Sequence, residues 1–139
     1  MPTSHQITDS IKFRSLSIAV VSPDSRNRDE VVAALARFSH RIIREFISYA
    51  PDAAELSQVL RHDFDVVIID VDSDSERALE LVENICASGA SNVVVCSANP
   101  DSDLLLRCMR AGAREFLAMP VSTDAMSEAL TRVSTRHSE

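Results

Sequence analysis

Three short blocks of consecutive branched apolar residues set the tightest limit on the fold: LSIAVV (Leu16 to Val21), DVVIID (Asp65 to Asp70) and NVVVCS (Asn92 to Ser97). None alternates apolar with polar, so neither face of such a strand can lie in water. Each is too short for an ordinary helix and too β-branched to favour one. Strands that need cover on both sides belong in the interior of a parallel sheet flanked by two layers of helices. Two further runs, RIIREFI (Arg41 to Ile47) and EFLA (Glu115 to Ala118), are broken or flanked by charge. Charge discourages further pairing, which suits the two sheet edges.

Helical patterns separate these runs. Val31, Leu35 and Phe38 share a face of the first helix, Leu56, Val59 and Leu60 of the second, Leu81, Val82 and Ile85 of the third, and Met126, Leu130 and Val133 of the fifth. Asp52 with Glu55 three residues on forms a capping box, Ser122 or Thr123 can cap the last helix, and Gly112 ends the fourth as a C-cap glycine. The pattern predicts (βα) five times, a doubly wound α/β domain over residues 15–136, with short tails at 1–14 and 137–139. A chain of 139 residues is one domain's worth.

Composition excludes several function classes. A net charge of -7 disfavours the phosphate-neutralising surface of a nucleic-acid binder. Cys86, Cys96 and Cys108 form no C-x-x-C pair, and His5, His40, His62 and His137 have no zinc-ligand spacing. Reduced thiols, no metal centre and a cytoplasmic location are therefore expected. The first fifteen residues lack a signal-peptide core, and no apolar run reaches membrane-spanning length.

In doubly wound sheets, ligands collect at the carboxyl ends of the strands near the switch point. That rule gathers the loops at Ser22 to Ser25, Asp70 to Asp74, Ser97 to Asn99 and Met119 to Pro120. One of them, VVIIDVDSDSE, carries Asp70, Asp72 and Asp74 at alternate positions. Such spacing fits a metal loop, a phospho-accepting aspartate, or the solvated mouth of a buried strand. A calcium loop of the EF-hand type needs Gly at its sixth position and Glu at its twelfth, where this chain has Ser75 and Leu81. A phosphatase of the haloacid-dehalogenase kind would use Asp70 as nucleophile and Asp72 as acid. Its D-x-D-x-[TV] pattern meets Asp74 where Thr or Val belongs.

From Leu16 to about Val133 the chain resembles the response-regulator receiver (CheY-like) family. That likeness implies a five-stranded parallel sheet in the order 2-1-3-4-5. It puts Asp70 at the phospho-acceptor position and Ser97 and Phe116 at the switch positions. It also implies a cis peptide bond before Pro120. The segment AGAREFLAMPV looks like the family's G-A-x-x-[YF]-[LV]-x-K-P ending. The departures from that pattern fall on charge. Where the family has an acidic pair that holds Mg²⁺ with the acceptor, this chain has Ser22 and Pro23, and Met119 replaces the family lysine. A phosphoryl group brings roughly two negative charges. Without a cation, like charges near 4 Å repel by about 4 kcal/mol at an effective dielectric of 20. The pocket is expected to be silent, with no cofactor, Asp24 a helix cap, and Asp72 and Asp74 a solvated acidic loop.

The stretch VVVCSANPDSDLLLRCMRAGAREFLAMPV resembles the atypical receiver domain that begins the CpaE/TadZ proteins of Flp-type pilus assembly. That resemblance implies a protein-interaction or localisation module. Receivers commonly pair through the fourth helix, fifth strand and fifth helix. At 100° per residue Leu104, Leu105, Cys108 and Met109 share the covered face of the fourth helix, and Leu106 falls outside beside Arg107 and Arg110. Leu106, Arg107, Arg110 and Arg114 are the expected surface for a protein partner or a second copy. Three readings follow: a phosphorylation-independent, non-enzymatic interaction module, a working receiver accepting phosphate at Asp70 with Mg²⁺ held by Asp24 or Asp72, and a small aspartate-dependent phosphatase.

Overall fold

The structure is a computed structural model that describes residues 16–36, 42–49, 60, 64–87 and 92–138. Five strands, β1 (Ser17–Val21), β2 (Ile42–Phe46), β3 (Val66–Asp70), β4 (Asn92–Ser97) and β5 (Glu115–Ala118), form one parallel sheet in the order β2-β1-β3-β4-β5. The two charge-broken runs are its edges. Four helices are described: α1 (Ser25–Leu35), α2 (Ser75–Cys86), α3 (Ser102–Ala111) and α4 (Thr123–Ser138). The helix expected around Leu56 and Val59, its capping box at Asp52, the residue Phe38 and the tail at 1–14 lie outside the described residues. Leu60 is described and fully buried.

Period-two alternation splits the central strands between two apolar layers. Ala19, Val21, Val67, Ile69, Val93 and Val95 face the layer built with Leu81, Val82 and Ile85 of α2 and Cys108 of α3. Ile18, Val20, Val66, Ile68, Val94 and Cys96 face the layer built with Val31 and Leu35 of α1 and Met126, Leu130 and Val133 of α4. Every residue of β1, β3 and β4 is buried, which explains why these three stretches lack polar positions except at their ends.

The helices begin where side chains can hold their first amides. Asp24, Asp74 and Asp101 each accept a backbone N–H three residues on, and Ser122 accepts from Ala125 N at 3.0 Å. The α4 helix runs on to Ser138, since no glycine or proline follows Val133. α3 stops at Gly112, whose φ of 113° lies in the left-handed region. A β-carbon built there would sit 2.7 Å from Cβ of Cys86 on α2, so only glycine ends α3 this close to its neighbour. Gly112→Ala is expected to destabilise the domain by about 2 kcal/mol or more in urea unfolding. Cys86→Ala in the same chain will not restore it, since the closest clash is with the β-carbon.

Candidate functional site

The carboxyl ends of β1, β3 and β4 meet at a buried carboxylate. Asp70 ends β3, is 1% exposed, and cannot be answered by water. Its Oδ2 accepts from Ser22 Oγ at 2.8 Å and Asn27 Nδ2 at 3.2 Å, and its Oδ1 accepts the Asp72 amide at 2.9 Å. Three donors nearly fill the four lone-pair sites of a carboxylate, and every one of them is neutral. The Asp70 carbonyl accepts the hydroxyl of Tyr49, a buried residue just beyond β2.

The three aspartates of this loop divide three tasks between them. Asp70 is the buried centre. Asp74 caps α2 through Arg77 N at 3.2 Å and pairs with the Arg77 guanidinium at 3.5 Å. Asp72, expected to be solvated, is half-buried and turned inward. Its Oδ1 accepts Ser97 Oγ at 2.5 Å and its Oδ2 accepts Ala98 N at 2.6 Å. The correction has a physical reason: unpaired donors at the end of β4 draw in the nearest acceptor, and sequence spacing does not reveal them.

Asn27 is the residue that sequence reasoning missed. Its Nδ2 lies 3.2 Å from Asp70 Oδ2 and 3.4 Å from Asp72 Oδ2, so the two amide protons bridge two carboxylates. The signal was present. Asn27 stands four before Val31 and seven before Ala34, at the head of the apolar stripe of α1, where a polar side chain needs a buried partner. Arg28 was also missed. Its Nη1 donates to the Ser22 carbonyl at 2.8 Å and its Nε lies 3.4 Å from Glu45, tying the β1–α1 loop to the edge strand.

The residues at the family's acidic-pair and lysine positions bring neither a carboxylate nor an amine to the site. Ser22 is buried and donates to Asp70, while Pro23 is half-buried beside Ile47 and Tyr49. Asp24, the possible substitute ligand, is engaged as the cap of α1. Met119 lies in the apolar layer with Leu117 and Met126, and its amide bonds the Ser97 carbonyl at 2.8 Å. Among the described residues no three His, Cys, Asp or Glu side chains are grouped to hold a metal ion. The Asn27 amide points its protons at both the Asp70 and the Asp72 carboxylate. The Met119–Pro120 bond is cis. Ser97 is fully buried, and Phe116 is half-buried against the apolar layer that contains Cys108.

On α3 the structure corrects the expected division of faces. Only Cys108 is fully buried, whereas Leu105, Leu106 and Met109 are 39%, 47% and 40% exposed. α3 leans on α2 at the side of the sheet, so its cover is a narrow seam that a helical wheel places but does not measure. Arg107 bonds Glu76 of α2 at 2.7 Å, and with Arg110 it lines a groove whose other wall carries Glu76, Glu80 and Glu83. Arg114 is exposed, its charge near Cys86 at the end of α2. The expected basic residues therefore lie on the α2 side of α3, and the exposed apolar ones continue round its opposite flank.

A family model for the response regulator receiver domain matches residues 18–131. The chain belongs to that family. It is 28% identical over 134 residues to the sensory/regulatory protein RpfC of Xanthomonas campestris, covering 90% of this chain and 18% of that one. The chain thus spans under a fifth of that relative's length. Among solved structures, a pilus assembly protein (CpaE) of Burkholderia thailandensis is 28% identical with a TM-score of 0.67, over 87% of this chain and 99% of that one. A pilus assembly-related protein of Burkholderia pseudomallei shares the fold at a TM-score of 0.72 and 24% identity, over 89% of this chain and 92% of that one.

Burial beside these acids shapes the alkaline titration of the domain. Desolvation, and after it the Asp70 and Asp72 charges, push the Cys96 thiol well above its usual 9.0. Desolvation raises Cys86 and Cys108 too, against the opposing pull of Arg114 and Arg107 respectively. Burial, then Asp70, raises the Tyr49 hydroxyl from 10.0. These groups keep their protons to higher pH in the fold than in the unfolded chain, so their contribution is full below pH 9 and is lost as pH rises above it. Stability by chemical denaturation should fall above about pH 9, each thiol adding at most about 1.4 kcal/mol per pH unit. Cys96→Ala should make the decline shallower by one proton; an unchanged slope would show that Cys96 ionises normally in the fold.

Proposed function

We propose that this receiver domain is a phosphorylation-independent binding module, without catalysis and without a metal cofactor, acting on protein partners in the cytoplasm. The observation that carries the reading is the Asn27 amide bridging Asp70 and Asp72, with Ser22 and the Asp72 amide completing Asp70. Phosphoryl transfer to a carboxylate needs cations around the developing charge. Neutral donors stand here instead, Met119 is packed in the core, and a lysine at that position would have to bury its amine.

A role beside pilus assembly or secretion is supported by the 28% identity to the CpaE protein of Burkholderia thailandensis, nearly all of which is covered. The surface we assign to a partner or to self-association joins Leu105, Leu106 and Met109 of α3 to Arg107, Arg110 and Arg114, together with β5 and α4. Exposed apolar residues bordered on one side by basic ones, on a chain of net charge -7, favour an acidic or self-complementary partner. Among the described residues no helix is long and apolar enough to cross a membrane.

The test of the first part is acetyl phosphate with Mg²⁺, read by intact-mass spectrometry. Wild type should gain no phosphoryl group; stoichiometric labelling that disappears in Asp70→Asn would overturn the reading in favour of a working receiver. For the surface, Leu106→Glu combined with Met109→Glu should weaken self-association or partner capture at least about tenfold, as central apolar contacts do. Thermal unfolding should stay unchanged, and sedimentation velocity that cannot distinguish the variant from wild type, with equal partner binding, would reject this face.

A further inference from the structure

The groove between α2 and α3 carries opposite charge on its two walls. We propose that it is a self-complementary pairing surface: two copies of this chain meet groove to groove about a two-fold axis running along it, so that α2 of each copy lies against α3 of the other. The inference deepens the binding-module reading and rests on it for its purpose. It gives self-association to this groove and leaves the apolar flank of α3, at Leu105 and Met109, to a different protein.

The groove owes its form to the way the two helices meet. Each follows a strand of one parallel sheet, so they run side by side in the same direction. Their carboxyl ends touch, Gly112 lying against Cys86. Near the start of α2, Glu76 is joined to Arg107 at 2.7 Å, while Arg77 pairs with Asp74 at 3.5 Å. Between these fastenings lies a cavity of about 460 Å³, with Glu80 and Glu83 on the α2 wall and Arg110 on the α3 wall. All three are exposed, and among the described residues none of them forms an ion pair. Arg114, also exposed, adds a further positive charge close to Cys86, where the helices converge.

Charge decides the occupant. A wholly acidic or wholly basic segment would be repelled by one wall. A second copy brings both signs in the required order, because a two-fold along the groove turns the acid wall of each copy toward the basic wall of the other. An axis across the groove would set acid on acid and base on base, so the charges choose the orientation as well as the partner. Each chain has a net charge of -7, and two copies therefore repel at a distance. Only a face with local complementarity can hold them together, and this groove supplies one.

The experiment is a charge swap on the full chain, read by sedimentation velocity over a concentration series. Wild type should pair reversibly. Arg110→Glu alone, and Glu80→Arg combined with Glu83→Arg, each set like charges against like and should pair at least about tenfold more weakly. An equimolar mixture of the two variants should pair as wild type does, since every contact then joins opposite signs. A chain carrying all three substitutions should pair with itself again, and it keeps the test decisive if either variant folds poorly. Met109→Glu, on the opposite flank of α3, should leave the pairing intact. Wild type that stays monomeric throughout the series, variants that pair as wild type does, or a mixture and a triple variant that both fail to recover the loss would each overturn the proposal. Failure of the binding-module reading shows elsewhere: acetyl phosphate would label Asp70, while the pairing through the groove would stand unchanged.

Discussion

A charged group at the end of the central strand, sealed from water, has to be satisfied by the chain itself, and much of the architecture around Asp70 serves that need. An unanswered buried carboxylate would cost several kcal/mol. The remedy draws on separated parts of the sequence: Ser22 after β1, Asn27 in the first turns of α1, and the Asp72 amide one turn past β3. None of these can move without exposing an unpaired donor or acceptor. The order of the sheet brings them together, since β1 and β3 are neighbours only because the chain crosses over between them.

Neutral groups surround the carboxylates of this pocket. Asp70 and Asp72 share the two protons of one amide, a neutral bridge between like charges that would otherwise repel. Met119 has joined the apolar layer, and Pro23 has no side-chain donor or acceptor. The substitutions are coupled. A lysine at 119 would have to leave the core, and a carboxylate at 22 would confront Asp70 across the gap that the serine hydroxyl now spans.

The skeleton of the fold was legible because it rests on local pattern. Runs without polar positions gave β1, β3 and β4, charge-broken runs gave β2 and β5, and the left-handed Gly112 gave the end of α3. Asp70 and Ser97 were found as strand ends. What escaped depends on contacts between distant segments. Asn27 reads as an ordinary helix residue until α1 is laid against β1 and β3. Tyr49 reads as a loop aromatic until its hydroxyl meets the Asp70 carbonyl. Asp72 looked solvated because nothing nearby in sequence announces the donors of β4. The exposure of Leu105 and Met109 escaped for another reason: a wheel gives direction, and how much of a helix is covered depends on how its neighbours lean.

Three helices, α1, α2 and α3, start at the same rim of the sheet, and each start is held by its own aspartate, Asp24, Asp74 or Asp101. Helix starts carry partial positive charge and free amides, and a cluster of them ordinarily makes a rim attractive to anions. Here each dipole is quenched at its source by a full negative charge, and Asp70 and Asp72 lie just behind. The far field of this rim is therefore negative. Small anions are repelled before they arrive, cationic segments are drawn in, and both effects fade with added salt over a Debye length.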